Sequence, residues 1–342
     1  IIILLSEANK FMNSLKNVVK TIQNRNNFLI LGHVDPDGDC VGSVFALKWI
    51  LDKLNKNSLI LLNEEPLDDF DFFFDFVENN STPGGFLLIE DFKNETLDWE
   101  VKNVIALDAG DLDRLGEDGK QLAEENYLIN IDHHPDNCGY GNISYVNPKR
   151  AAVGEIIYDM AQLFEIKIDQ TIGVPVATAL ITDTGSLQYE NTTARVLKVL
   201  ASLMEIGVDL YQINKKIFGQ YSYKTVKLKG LALTTLTLTE TREIAWLYVD
   251  QEMLNEIDAD LEMVSGLVNY SRDIEGIEVG LAFYELNDGQ TKVSFRSNNY
   301  VPVHEVAAEF NGGGHPRAAG CTIDLELNLA IDLVLDKVED YL

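Results

Sequence analysis

The sequence predicts an α/β protein in two domains: a mostly parallel sheet with helices on both faces, followed by a smaller α/β domain of more antiparallel character. Three observations lead there. Short apolar runs end in loops rich in acids and histidines, and stretches with apolar residues at helical spacing follow. Near residue 220 this gives way to Thr-rich and alternating segments. The 342 residues also exceed what one hydrophobic core readily serves.

In chain order, residues 11–27 read as a helix leading into Phe28-Leu29-Ile30-Leu31, a buried strand closed by Gly32. The breaker-rich loop GHVDPDGD and a helix over 40–54 complete a strand–loop–helix unit. Further strands are expected at Phe86–Ile89, at Val104–Leu107 running into Asp108, and at Tyr127–Ile131 running into Asp132-His133-His134. Helices are expected at 151–164, 172–182 and 193–206, the last capped by Gly207. Strands that run apolar throughout suit a parallel sheet covered on both faces.

Past residue 220, TTLTLTE and EIAWLYVD read as two strands around a Thr-Glu-Thr-Arg turn. Helices at 251–256 and 260–270, strands at 279–286 and 291–296, a helix at 303–310, a strand near 321–323 and a final helix at 328–341 complete the chain. The expected organisation is a first domain over 1–207, a partly helical linker over 208–230 and a second domain over 231–342. The acidic stretch from Glu64 to Asp71 reads as a solvated loop.

Asp and Glu number 55 against 27 Lys and Arg, a net charge of -28 that argues against long nucleic acids and anionic membranes as partners. A small anionic substrate stays possible wherever a local site is positive. Cys40, Cys138 and Cys321 lie far apart and are odd in number, which fits a reducing, cytoplasmic setting better than a disulfide scaffold. The start IIILLSEANKF lacks a basic segment and a long apolar one, so it does not read as a signal peptide. No apolar run approaches the length of a membrane span.

The chemistry is carried by acids and histidines placed at strand ends. His33, Asp35, Asp37 and Asp39 alternate through a loop kinked by Pro36 and Gly38. Carboxylates this close repel one another unless a cation lies among them. A lone turn of this kind is more often a solvated loop. Here Asp108 ends one further strand, Asp132-His133-His134 ends another, and Asp183 closes a helix. In open α/β sheets that edge is where ligands bind. Carboxylates mixed with imidazoles and no thiolate suit ions such as Mn²⁺, with Mg²⁺ or Co²⁺ as alternatives. The acids suffice for two ions sharing a carboxylate.

GHVDPDGD, ALDAGDLDRLG, NIDHHPDN and LITDTGSLQY resemble the four signature segments of the DHH phosphoesterase superfamily, and NGGGHPRAAG resembles the glycine-rich signature of its associated DHHA1 domain. The segments keep their order over essentially the whole chain, which is most similar to the branch of oligoribonuclease/pAp phosphatases called nanoRNases. The resemblance implies that His33 and Asp37 hold one ion, that Asp108 bridges, and that Asp39, His133 and Asp183 complete the second. It implies His134 beside the scissile phosphate as donor or general acid, with Arg114 supporting the site or contacting phosphate. Asp35 is expected to orient His33 and Asp132 to buttress the histidines.

In the second domain, Gly313, Gly314 and His315, together with Arg296 and Ser297, are the expected phosphate pocket, and the glycine run is expected to open a tight helix. The active site is expected in the cleft between the domains. One departure stands out: after Asn147-Pro148-Lys149-Arg150, where many relatives carry a Ser- or Thr-rich stretch before a helix glutamate, this chain has Ala151-Ala152-Val153-Gly154-Glu155. The expected activity is hydrolysis of two- to four-residue oligoribonucleotides to 5′-mononucleotides and of 3′-phosphoadenosine 5′-phosphate to AMP. Competing readings are a cyclic di-AMP or pApA phosphodiesterase, an inorganic pyrophosphatase and a non-catalytic nucleotide-binding protein. A homodimer is compatible with all of them.

Overall fold

A computed structural model describes residues 15–64, 86–93, 95, 97–264 and 266–342. The acidic stretch beyond Glu64 and the first four residues of the helix expected from residue 11 lie outside these. The chain divides into two compact units, Ile1–Gln220 and Tyr221–Leu342.

The first unit runs α1 (Leu15–Gln23), β1 (Phe28–Leu31), α2 (Gly38–Lys53), β2 (Ser58–Leu62), β3 (Phe86–Leu88), α3 (Ile89–Phe92), β4 (Asn103–Leu107), α4 (Gly116–Glu125), β5 (Tyr127–Asp132), β6 (Ile143–Val146), α5 (Val153–Leu163), α6 (Gln170–Asp183), α7 (Ala194–Glu205) and α8 (Leu210–Phe218). Its strands form one sheet in the order β3-β2-β1-β4-β5-β6, parallel throughout. Alternation along β1 builds the layers. Phe28 and Ile30 join the core under α1, α2, α5, α6 and α7, whereas Leu29 and Leu31 join a smaller core with Ile89, Leu115 and Ala123. Helices therefore cover both faces.

The second unit runs α9 (Tyr223–Thr234), β7 (Thr237–Leu238), β8 (Ile244–Val249), α10 (Gln251–Ile257), α11 (Val268–Arg272), β9 (Val279–Glu285), β10 (Thr291–Ser297), α12 (Val303–Ala308), β11 (Gly313–His315), β12 (Ala318–Ile323) and α13 (Leu327–Glu339). The sheet order is β11-β12-β10-β9-β8-β7, antiparallel except for the β8–β9 pair. Phe283, Val293 and Phe295 pack with residues of α12 and α13, while Leu247, Val249 and Ala282 pack with residues of α9, α10 and α11.

Several expectations need correction. Strands β2 and β6 and helix α4 were not foreseen, although Leu59–Leu62 is a short apolar run between turn residues. The expected strand over 234–240 is only Thr237–Leu238, because α9 continues through Thr234. The helix expected over 260–270 is a 3₁₀ turn at Leu261–Val264 and a separate α11. The glycine run opens no helix. Gly313–His315 pairs antiparallel with Ala318–Gly320 as a hairpin.

Candidate metal centre

Parallel pairing places the ends of β1, β4 and β5 side by side, so the loops after them meet. Each delivers titratable groups: His33 two residues past β1, Asp108 directly after β4, and Asp132, His133 and His134 at and after the end of β5. Asp37 caps α2, its Oδ1 accepting from the backbone N–H of Asp39 at 3.0 Å and Cys40 at 3.1 Å. Asp39 lies in that first turn and Asp183 closes α6.

Three groups of side chains form with ligand atoms within 4.8 Å of one another: His33, Asp37 and Asp108; Asp39, His133 and Asp183; and Asp108, His133 and His134. Asp108 is central. Its Oδ2 lies 3.7 Å from His33 Nε2, and its Oδ1 lies 3.5 Å from His133 Nε2. Oδ1 is buried and has no hydrogen-bond partner. A φ of 58° places Asp108 in the left-handed region, where a non-glycine residue costs about 1–3 kcal/mol and persists when its surroundings hold it.

The imidazoles are aimed by their other nitrogens. His33 Nδ1 donates to the Val34 carbonyl at 2.6 Å, leaving Nε2 to face Asp37 and Asp108, each 3.7 Å away. Val34 thus does the orienting expected of Asp35, which is exposed and whose backbone N–H goes to Glu64. His133 Nδ1 donates to the Arg150 carbonyl at 3.2 Å, and its Nε2 faces Asp39, Asp108 and Asp183 at 3.8, 3.5 and 3.6 Å. His134 Nδ1 donates to Asp132 Oδ1 at 2.8 Å. Asp132 is fully buried and is itself held by Asn137 at 2.6 Å.

Burial opposes charge on His133, but Asp108, Asp39 and Asp183 outweigh it and push its pKa up to about 10. Burial together with Asp108 and Asp37 lifts Asp183 to about 7, with His133 opposing. Burial and the neighbouring acids also push Asp39 well up. This is a pocket short of positive charge. Carboxylates, of which Asp39 and Asp108 are buried, bare imidazole nitrogens and an unpartnered oxygen on Asp108 are the donor set a divalent cation takes, and two of the three groups share Asp108.

Of the remaining expected residues, Arg114 stands with Nη2 3.2 Å from His33 Nδ1. In the second unit, register places His315 and Arg296 opposite Ala318 from either side, so the three share one sheet face with the small Ala318 between them. Gly313 and Gly314 line the exposed edge strand beside them. Ser297 is buried, and its hydroxyl donates to the Val301 carbonyl at 2.7 Å, so it shapes the loop after β10.

Sequence reasoning did not single out Asn191, and it met Glu155 only as the helix glutamate after Ala151-Ala152-Val153-Gly154, without a role. Asn191 Nδ2 donates to the Ala151 and Asp183 carbonyls, and Glu155 is buried between two arginines. Both act through backbone groups or on other side chains, so the sequence does not tell what they do.

The DHH family N-terminal domain matches residues 27–185, and the DHHA1 domain matches residues 244–342. The bifunctional oligoribonuclease and PAP phosphatase NrnA of Thermus thermophilus is 31% identical over 320 residues, covering 92% of this chain and 89% of its own length. The NrnA of Bacillus subtilis is 26% identical, covering 90% of this chain and 92% of its own length. The crystal structure of an exopolyphosphatase-related protein from Bacteroides fragilis superposes with a TM-score of 0.85 at 24% identity, covering 96% of both chains, and shows the same fold. The ordered signatures, the paired cation sets around Asp108 and a relative matched along nearly its whole length agree: the chain belongs to the DHH/DHHA1 phosphoesterase superfamily, in its NrnA branch.

Proposed function

We propose that this protein is a metal-dependent phosphoesterase that hydrolyses oligoribonucleotides of two to four residues to 5′-mononucleotides, and 3′-phosphoadenosine 5′-phosphate to AMP. Asp108 carries the reading, with one carboxylate oxygen turned to His33 and the other to His133. His33 and Asp37 would hold one cation and Asp39, His133 and Asp183 the other, with Asp108 serving both sets and Mn²⁺ the preferred ion. Two divalent cations bound there supply positive charge to the phosphoryl oxygens and lower the pKa of water.

The chain's own residues orient the substrate and move protons. Asp132 fixes the His134 tautomer with the proton on Nδ1 and raises its pKa, though burial opposes this, so the ring is charged more of the time near neutral pH. Its Nε2–H then donates to a phosphoryl oxygen or delivers a proton to the leaving ribose oxygen. Arg114 packs against His33 and restrains that ring. In the second unit Arg296 and His315, with the exposed backbone of Gly313 and Gly314, bind the terminal phosphate, while Ser297, next to Arg296 at the end of β10, holds the loop that follows in place. The names of the relatives from Thermus thermophilus and Bacillus subtilis support this substrate class.

A product assay in Mn²⁺, Mg²⁺ and Co²⁺ tests the reading on pAp, pApA, di- to pentanucleotides, a 20-mer, cyclic di-AMP and pyrophosphate. Rapid mononucleotide release from the shortest RNAs and AMP release from pAp are expected. Cleavage of pyrophosphate alone, or equal turnover of the 20-mer, overturns it.

A further inference from the structure

The segment Arg150–Glu155 touches His133 and Asp39 of one ligand set and is linked to its third member, Asp183, through Asn191, whereas no hydrogen bond among the described residues joins it to His33 or Asp37. The Arg150 carbonyl accepts from His133 Nδ1 at 3.2 Å. The N–H groups of Val153 and Gly154 donate to Asp39 Oδ2 at 2.6 Å and Oδ1 at 2.9 Å. Ala151 and Asp183 are tied together by Asn191, whose Nδ2 donates to their carbonyls at 3.1 and 3.0 Å. Asp39, His133 and Asp183 are one of the three-residue groups able to hold a cation. In the other set, His33 rests on the Val34 carbonyl and Asp37 caps its own helix by accepting from the Asp39 and Cys40 N–H groups, with no bond to residues 150–155 among the described residues.

The segment is itself anchored. Glu155 is 1% exposed and accepts from the Ala151 N–H at 3.1 Å, from Arg150 Nη1 at 2.5 Å and from Arg195 Nε at 2.8 Å. Asp159 joins the same two arginines. A buried carboxylate that accepts from two guanidiniums and a backbone N–H makes charge-assisted hydrogen bonds, which are stronger than neutral ones and restrain the turn.

We propose that residues 150–155, anchored by Glu155 and Asn191, build one of the two cation positions and leave the other alone. Glu155 and Asn191 are positioning residues: they act on His133, Asp39 and Asp183 through the backbone. This rests on the two-cation reading above.

The test is Mn²⁺ binding to the full chain by calorimetry, with electron paramagnetic resonance on the same samples, for wild type, Glu155→Gln and Asn191→Ala. Wild type takes up two ions and shows an exchange-coupled spectrum. The variants keep one site at wild-type affinity and lose about ten- to a hundredfold at the other, as is usual when a ligand's supporting contact is removed, so one equivalent gives an uncoupled six-line signal. Asn191→Ala keeps the charged cluster intact and serves if Glu155→Gln unfolds. Two wild-type affinities in folded variants overturn the proposal, and so does equal weakening of both sites. Fewer than two ions in wild type overturns the two-cation reading beneath it.

Discussion

At the scale of single residues, Asp108 and His134 do separable work. Asp108 faces both ligand sets, so Asp108→Ala removes the shared carboxylate. Charge stabilisation of several kcal/mol by bound ions predicts a loss of at least about 10³-fold in kcat, with the fold intact by circular dichroism. His134 is committed to Asp132 through Nδ1, which leaves Nε2 for the substrate contact proposed above. His134→Gln should lower kcat by about 10²–10⁴-fold, the usual span for a general acid, while Mn²⁺ stoichiometry stays at two. Parallel loss of metal and activity would make His134 a ligand instead. Both residues were legible in the sequence because each follows an apolar run ending at the sheet edge. Asn191 was not, since its work is done on two carbonyls that tertiary folding brings together.

At the scale of elements, helix α5 has no side-chain cap at Ala152, and Asp39 of α2 takes that role across 115 positions of sequence. The Ala-Ala pair at 151–152 offers no side-chain cap of its own, and the cap arrives from the Asp39 carboxylate. Gly154 permits the approach, since a Cβ there would lie 2.4 Å from the Ala179 Cβ of α6. Gly154→Val should cost about 1–3 kcal/mol in urea unfolding, as overpacking does, and weaken cation binding with it.

In the second unit Glu278, 4% exposed, gathers the backbone N–H groups of Asn299, Tyr300 and Val301 and the Asn299 amide. Burial alone would raise its pKa, but these donors outweigh it and hold it below the ordinary glutamate value. That stabilisation is present above the ordinary value and is lost as pH falls through the depressed one. Glu278→Gln should therefore lower stability by about 1–3 kcal/mol at pH 7, with the gap to wild type closing under acid in pH-dependent melts.

At the scale of the whole molecule, each unit has its own sheet with a core on either face, so each can unfold cooperatively. Among the described residues, the three groups able to hold a cation lie in the first unit. Calorimetry should show Mn²⁺ raising the first unit's transition by about 2.7 kcal/mol of stabilisation per site at a hundredfold excess over Kd, and chelation reversing it. Glu278→Gln should move the other transition. One transition moved alike by both changes would contradict two independent cores. The charge of -28 acts at this scale too, opposing long polymers whose phosphates need neutralising along their length. No helix among the described residues is long and apolar enough to cross a membrane.

The sequence by itself determined the α/β class, the strands β1, β4 and β5, and the identity of the acids and histidines at their ends. Apolar runs and breaker-rich loops are local, and a parallel sheet follows from them with little freedom. It did not determine β2 or the helical continuation through Thr234, where apolar and Thr-rich stretches suit either state until packing chooses. Tertiary structure alone decided which acids pair with which histidine, because that depends on strand order. It also decided that Arg150, Val153 and Gly154 serve the site through backbone atoms, which every residue possesses and no side-chain pattern can mark.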